Sequence, residues 1–147
     1  MRKMILLTVL ASAAVFAQQA AVPKEASTKQ KAPASKAKVL TNAEFDKLLA
    51  TPDKVLLIDV RRPDEIQSIG GFPVFLSIQL AELDQHLAEI PKDRLLVTIS
   101  NHAARGGRAA DLLESHGFKV AGTIGAQTYE TDGGKLVKIA PPKTAEK

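Results

Sequence analysis

Few side chains here have the chemistry and the spacing to react. Ser100 lies two residues from His102, a hydroxyl within reach of an imidazole, with Asn101 between them and Arg105 closing the segment. A hydroxyl nucleophile needs a base aimed at it and a third group to orient that base. A histidine inside a tight loop is poorly placed for that task. His86 and His116 lie far away in sequence at exposed helix positions, and three scattered histidines offer no metal-ligand spacing, so neither a metal nor another cofactor is implied. Asp59 and Arg61 stand two apart at the end of an apolar run, a spacing suited to a hydrogen-bonded ion pair or cap that takes in Glu65. Arg108 and Asp111 sit at i, i+3, the usual solvated helix pair.

Composition removes whole classes of chemistry. The 147 residues contain no cysteine, so disulfides, thiolate metal sites and thiol nucleophiles are absent from this chain. The net charge of +4 is unevenly spread. Residues 1–38 hold seven of the 20 basic residues and one of the 16 acidic ones, leaving 39–147 with 13 against 15. A slightly acidic segment with one Tyr, four Phe and no Trp has neither the charge nor the stacking platforms for nucleic acid.

The basic start has its own explanation. MRKM precedes an uncharged apolar run from Ile5 to Ala17, and Val15 and Ala17 occupy the small-residue positions of a cleavage site. The run falls short of the roughly 20 residues a membrane-spanning helix needs. Residues 1–17 read as a secretory signal peptide, the alternatives being an N-terminal membrane anchor or a buried helix. Cleavage would leave no stable membrane anchor and a periplasmic or secreted chain. Residues 18–37, rich in Ala, Lys, Ser, Gln and Pro, read as a disordered leader, either a solvated spacer or a contact for anionic envelope polymers. Residues 141–147 read as a flexible tail, which confines the folded domain to 38–140.

Within that domain the elements alternate. Thr41 and Glu44 form a capping box ahead of a short helix. Val55–Val60 and Arg94–Ser100 are apolar runs expected to be strands buried on both faces, and Val74–Ile78 is a shorter strand candidate. Pro63 is expected to break the chain. Leu80, Leu83, Leu87 and Ile90 recur at helical spacing until Pro91. A glycine-containing turn follows Ser100, then a helix with Ala109, Leu112 and Leu113 inward and Gly117 at its end. The segment from Phe118 to Ile124 is the last core strand, and Asp132–Gly134 predicts a terminal hairpin. Alternation of this kind implies an α/β fold, a small open mainly parallel sheet with helices on both faces.

LLIDVRRPDE (56–65), LSIQLAEL (76–83) and LLVTISNHAARGGRAADLLESHGFKVAGTIGA (95–126) follow one another in an order that resembles the rhodanese-like domain family. The resemblance implies an active loop after the central strand, opened by a catalytic cysteine and closed by an arginine five residues later. Aligned on RAADLL, the cysteine position holds Ser100 and the closing arginine is Arg105, with Asn101, His102, Ala103 and Ala104 between. Ala103 stands where the family's loop commonly has glycine. The family's chemistry needs a thiolate to accept a sulfane sulfur as a persulfide. A serine hydroxyl is a far weaker acid, and each unit of pKa costs about 1.4 kcal/mol. A helix N-terminus and converging amides supply only a few kcal/mol.

The resemblance therefore implies a domain without the family's sulfur transfer. Its loop, residues 100–105, keeps a geometry for a small oxyanion or an acidic side chain. The partners expected are thus a small oxyanion or a periplasmic protein, with Asp59, Arg61 and Glu65 as scaffold. The competing expectations are an empty remnant loop, or a sulfurtransferase-related enzyme using another nucleophile.

Overall fold

A computed structural model describes residues 34–138. The segment read as a signal peptide, most of the expected leader and the expected C-terminal tail lie outside the described residues. Four strands form one parallel sheet: β1 (Val55–Asp59), β2 (Leu76–Ser77), β3 (Leu95–Ser100) and β4 (Lys119–Gly125), ordered β2-β1-β3-β4. The helices are α1 (Asn42–Leu49), α2 (Pro63–Ile69), α3 (Ala104–Ser115) and α4 (Ala126–Thr131), with a 3-10 turn over Leu83–Glu89.

Both central strands are covered on both faces, as their unbroken apolar character requires. On one side Leu57, Val97, Ile99 and Ile124 pack against Phe45 of α1 and Tyr129 of α4. On the other, Ile58 and Leu96 meet Leu83, Ala109, Leu113 and Phe118. Phe45, Phe72 and Tyr129 make three edge-on contacts with ring centroids 4.8–5.4 Å apart, which knit α1 and α4 together over the sheet.

The register sets the position of everything that follows. Asp59 lies beside Ile99, and Ser100 beside Gly125, so β1, β3 and β4 end at one level. The loops that leave them share that end of the sheet. A bulge at Ala121 shifts the β3–β4 pairing, and Gly122 takes φ +151° there. A side chain at Gly122 would strike the carbonyl oxygen of Lys38, the residue whose oxygen accepts the Thr123 N–H. Glycine is what lets the segment from Lys38 to Leu40 lie along β4.

Several expectations meet their outcome here. The capping box at Thr41 and Glu44 forms as read. α3 ends through Gly117, at φ +81°. The second strand shrinks to Leu76–Ser77. Pro63 does not break the chain: it is the first residue of α2, where a missing N–H costs nothing. The helical spacing from Leu80 resolves into a 3-10 turn that starts only at Leu83. Among the described residues no terminal hairpin forms. Tyr129 to Thr131 belong to α4, Gly133 and Gly134 end that helix, and Val137 instead bridges Gly71 in antiparallel fashion. Arg108 and Asp111 do not make the expected pair, because the Asp111 carboxylate accepts the backbone N–H of Lys36.

Candidate functional site

β3 runs straight into the loop 100–105, and α3 begins inside it. Ser100 is 1% exposed, and its Oγ accepts the Gly106 N–H at 3.1 Å. The hydroxyl faces the first turn of α3 rather than solvent. His102 is exposed at the loop's outer side and makes no hydrogen bond to Ser100. A serine–histidine couple is therefore not assembled.

Ala103 takes φ +63° and ψ −21°, the left-handed conformation, and acts as the N-cap of α3 without a side-chain cap. The chain turns there so that Ala104 N–H meets the His102 carbonyl and Gly107 N–H meets the Ala103 carbonyl. Among the described residues, the N–H groups of His102, Ala103 and Arg105 have no partner. These three donors at a helix N-terminus are what the loop retains for a negatively charged group.

Beneath the loop, α3 lies unusually close to the sheet. A Cβ on Gly106 would run into the Thr123 Oγ1 and approach the Ser100 Oγ. Thr98 Oγ1 donates to the Gly106 carbonyl at 2.8 Å, and Thr123 Oγ1 donates to the Thr98 carbonyl at 3.1 Å. This buried ladder ties strands β3 and β4 to the first turn of α3. Composition alone carried no sign of it, because two threonines in strands are ordinary residues.

Asp59 and Arg61 form the anticipated pair, both wholly buried. Arg61 Nε donates to both Asp59 oxygens and Nη2 to Oδ2 at 2.7 Å, while Nη2 also reaches the Gly70 carbonyl. Glu65 is not part of that pair. It accepts Arg105 Nη1 at 2.8 Å and Nη2 at 2.6 Å, a two-bond fork, and also Asn101 Nδ2 at 2.7 Å. Its remaining contact is the Arg62 N–H at the start of α2. Hydrogen bonding to Arg105, foremost, pulls the Glu65 pKa down from 4.5 to about 2, against a smaller opposing effect of burial. The same contact raises that of Arg105.

The Glu65–Arg105 link joins positions 40 residues apart, and the signal for it was the parallel register. Residues shortly after Asp59 and shortly after Ile99 must emerge side by side. Of the loop's side chains, the structure thus binds Ser100, Asn101 and Arg105 into the protein. His102 is left outside, and Ala103 and Ala104 shape the backbone. Among the described residues, no three His, Asp or Glu side chains are grouped to hold a metal ion. No helix among them is long and apolar enough to cross a membrane.

A sulfurtransferase from Allochromatium vinosum is 36% identical over 70 residues, a stretch covering 48% of this chain and 64% of that protein. The matched stretch is thus less than two thirds of that relative's length. A rhodanese-related protein from Thermoplasma volcanium superposes with a TM-score of 0.60 at 21% identity, over 69% of this chain and 99% of the other. A rhodanese-like domain protein from Staphylococcus aureus gives 0.58 at 20% identity, over 70% and 99%. The described domain has the rhodanese-like fold. A thiosulfate sulfurtransferase from Pseudomonas aeruginosa matches at a TM-score of 0.56 and 26% identity, over 69% of this chain and 20% of that one. No family model matches the chain. The described residues share the fold of these sulfurtransferase-related proteins, and the 147-residue chain lacks any cysteine.

Proposed function

We propose that this is an exported rhodanese-like protein that does not transfer sulfur. Its loop 100–105 serves as a recognition element for a small oxyanion or an acidic side chain on a partner protein in the periplasm or outside the cell. One observation carries the non-catalytic reading. The residue at the end of β3 is a serine, 1% exposed and held by the Gly106 N–H, in a chain with no thiol to stand in for it. The three unpartnered N–H groups of His102, Ala103 and Arg105 support the recognition role. The charged start, apolar run and small-residue ending of residues 1–17 support export.

The deciding experiment measures thiocyanate formation from thiosulfate and cyanide by the mature chain and by Ser100→Cys. The unmodified protein is expected at background, with turnover gained only by Ser100→Cys. Turnover above background by the unmodified chain overturns the proposal and returns the protein to the sulfurtransferases. Export is read separately: cell fractionation and mass spectrometry should find a chain beginning at Gln18 outside the cytoplasm.

A further inference from the structure

Each of the three arginines at this end of the sheet already has a carboxylate of its own. Arg61 is matched by Asp59, Arg62 by Asp64 at 2.5 Å, and Arg105 by Glu65 at 2.6 Å. The first pair is wholly buried and the second largely exposed. The third is different. It lies at the loop itself, with the Arg105 and Glu65 side chains 31% and 19% exposed.

Glu65 is also saturated. Oε1 takes Asn101 Nδ2 and Arg105 Nη2, while Oε2 takes Arg105 Nη1 and the Arg62 N–H. Four donors fill the acceptor sites that a carboxylate offers. The fork on Arg105 is the one a guanidinium would extend to two oxygens of a sulfate, phosphate or carboxylate ligand. Glu65 is tethered by α2, so it meets Arg105 at an effective concentration no dilute free anion matches.

We propose that Glu65 is an intramolecular competitor that withholds Arg105 from small oxyanions, leaving only backbone N–H groups on offer in the loop. This rests on the reading of loop 100–105 as an anion-recognition element, and it names the residue that limits what the element accepts. A ligand that recruits Arg105 must bring two oxygens of its own and displace the Glu65 carboxylate.

The test is an NMR titration with sodium sulfate at constant ionic strength, following loop amides and the Arg105 Nε–H. In the unmodified chain, shifts are expected at the amides of residues 102–105 while the Arg105 Nε–H stays in place. In Glu65→Gln the dissociation constant should fall at least tenfold and the Arg105 Nε–H should move. Adding Arg105→Gln should return the affinity to that of the unmodified chain. Glu65→Ala serves if Glu65→Gln gives a poorly dispersed spectrum, and the Arg105 Nε–H of the unmodified chain needs no variant.

Affinity within twofold between the unmodified chain and Glu65→Gln overturns the proposal while the loop reading stands. So does an Arg105 Nε–H that moves in the unmodified chain. A response in Glu65→Gln with none in the unmodified chain upholds Glu65 as the competitor for Arg105 and overturns the reading that the backbone N–H groups bind oxyanions on their own. No response in either overturns both.

Discussion

Glu65 at the third position of α2 and Arg105 in the first turn of α3 meet through two hydrogen bonds, 2.6 and 2.8 Å long. Two helices that follow different strands are thereby locked at the same end of the sheet. The link is long-range in sequence and short in space, so it reports on the assembled domain and on nothing local.

Acid should dissolve this link in a defined window. Arg105 holds the Glu65 carboxyl near 2, below its ordinary 4.5, so folding depresses its pKa. Its stabilising contribution is therefore complete above about 4.5 and is lost as pH falls from there toward 2. The pair is partly exposed, and with solvent screening the loss should be about 1–2 kcal/mol. Urea midpoints measured from pH 6 to pH 2.5 should drop less steeply for Glu65→Gln than for the unmodified chain. Parallel curves would show that the pair contributes no pH-dependent stability.

Ala103 sits at φ +63° where an L side chain is disfavoured, and it caps α3 without a side-chain acceptor. Left-handed backbone costs a non-glycine residue roughly 1–2 kcal/mol, and glycine is a better N-cap than alanine. Ala103→Gly should therefore stabilise the domain by about 0.5–1 kcal/mol after the extra flexibility of the unfolded chain is counted. Thermal or urea unfolding reads this directly. The sign is the opposite of that for an Ala→Gly change inside α3, such as Ala109→Gly, which should destabilise.

Close approach of α3 to the sheet makes Gly106 intolerant of any side chain. A methyl group would meet the Thr123 Oγ1 and crowd the Ser100 Oγ, both fixed in the ladder under the helix. Gly106→Ala should cost about 1–3 kcal/mol, the range for forcing atoms into a packed interior. The cost should shrink when Thr123→Ala removes the opposing hydroxyl. Equal penalties in the two backgrounds, measured by urea unfolding, would place the strain elsewhere.

How far these relationships were legible depended on the kind of signal each left. β1 and β3 announce themselves because a strand covered on both faces must be apolar at consecutive positions, as Val55–Ile58 and Leu95–Val97 are. The Asp59–Arg61 pair was legible from spacing at a strand end. α4 was not: its six residues span too few turns for periodicity, and the glycines after it imitate a hairpin. Pro63 was misread because the same residue that breaks a helix interior also starts one. The partner of Glu65 depended on strand order, β1 beside β3, which no local pattern encodes.

The fully buried Asp59–Arg61 pair offers the sharpest test of scaffold against site. Each partner is neutralised in the interior by the other, with the Gly70 carbonyl and the Arg61 N–H adding bonds and Arg61 Nη1 left buried without a partner. Asp59→Ala would strand a buried guanidinium, and breaking such a pair on one side costs about 3–5 kcal/mol. Replacing both partners with apolar residues, Asp59→Leu with Arg61→Met, should cost markedly less than the two single changes together, because no charge is left uncompensated. A double-mutant cycle by urea denaturation measures the coupling. Additive costs would mean that the two charges are stabilised independently and that their contact contributes nothing to the fold. Strong coupling, with loop amide shifts in sulfate unchanged in any variant that still folds, assigns Asp59 and Arg61 to holding β1 against α2 rather than to recognition.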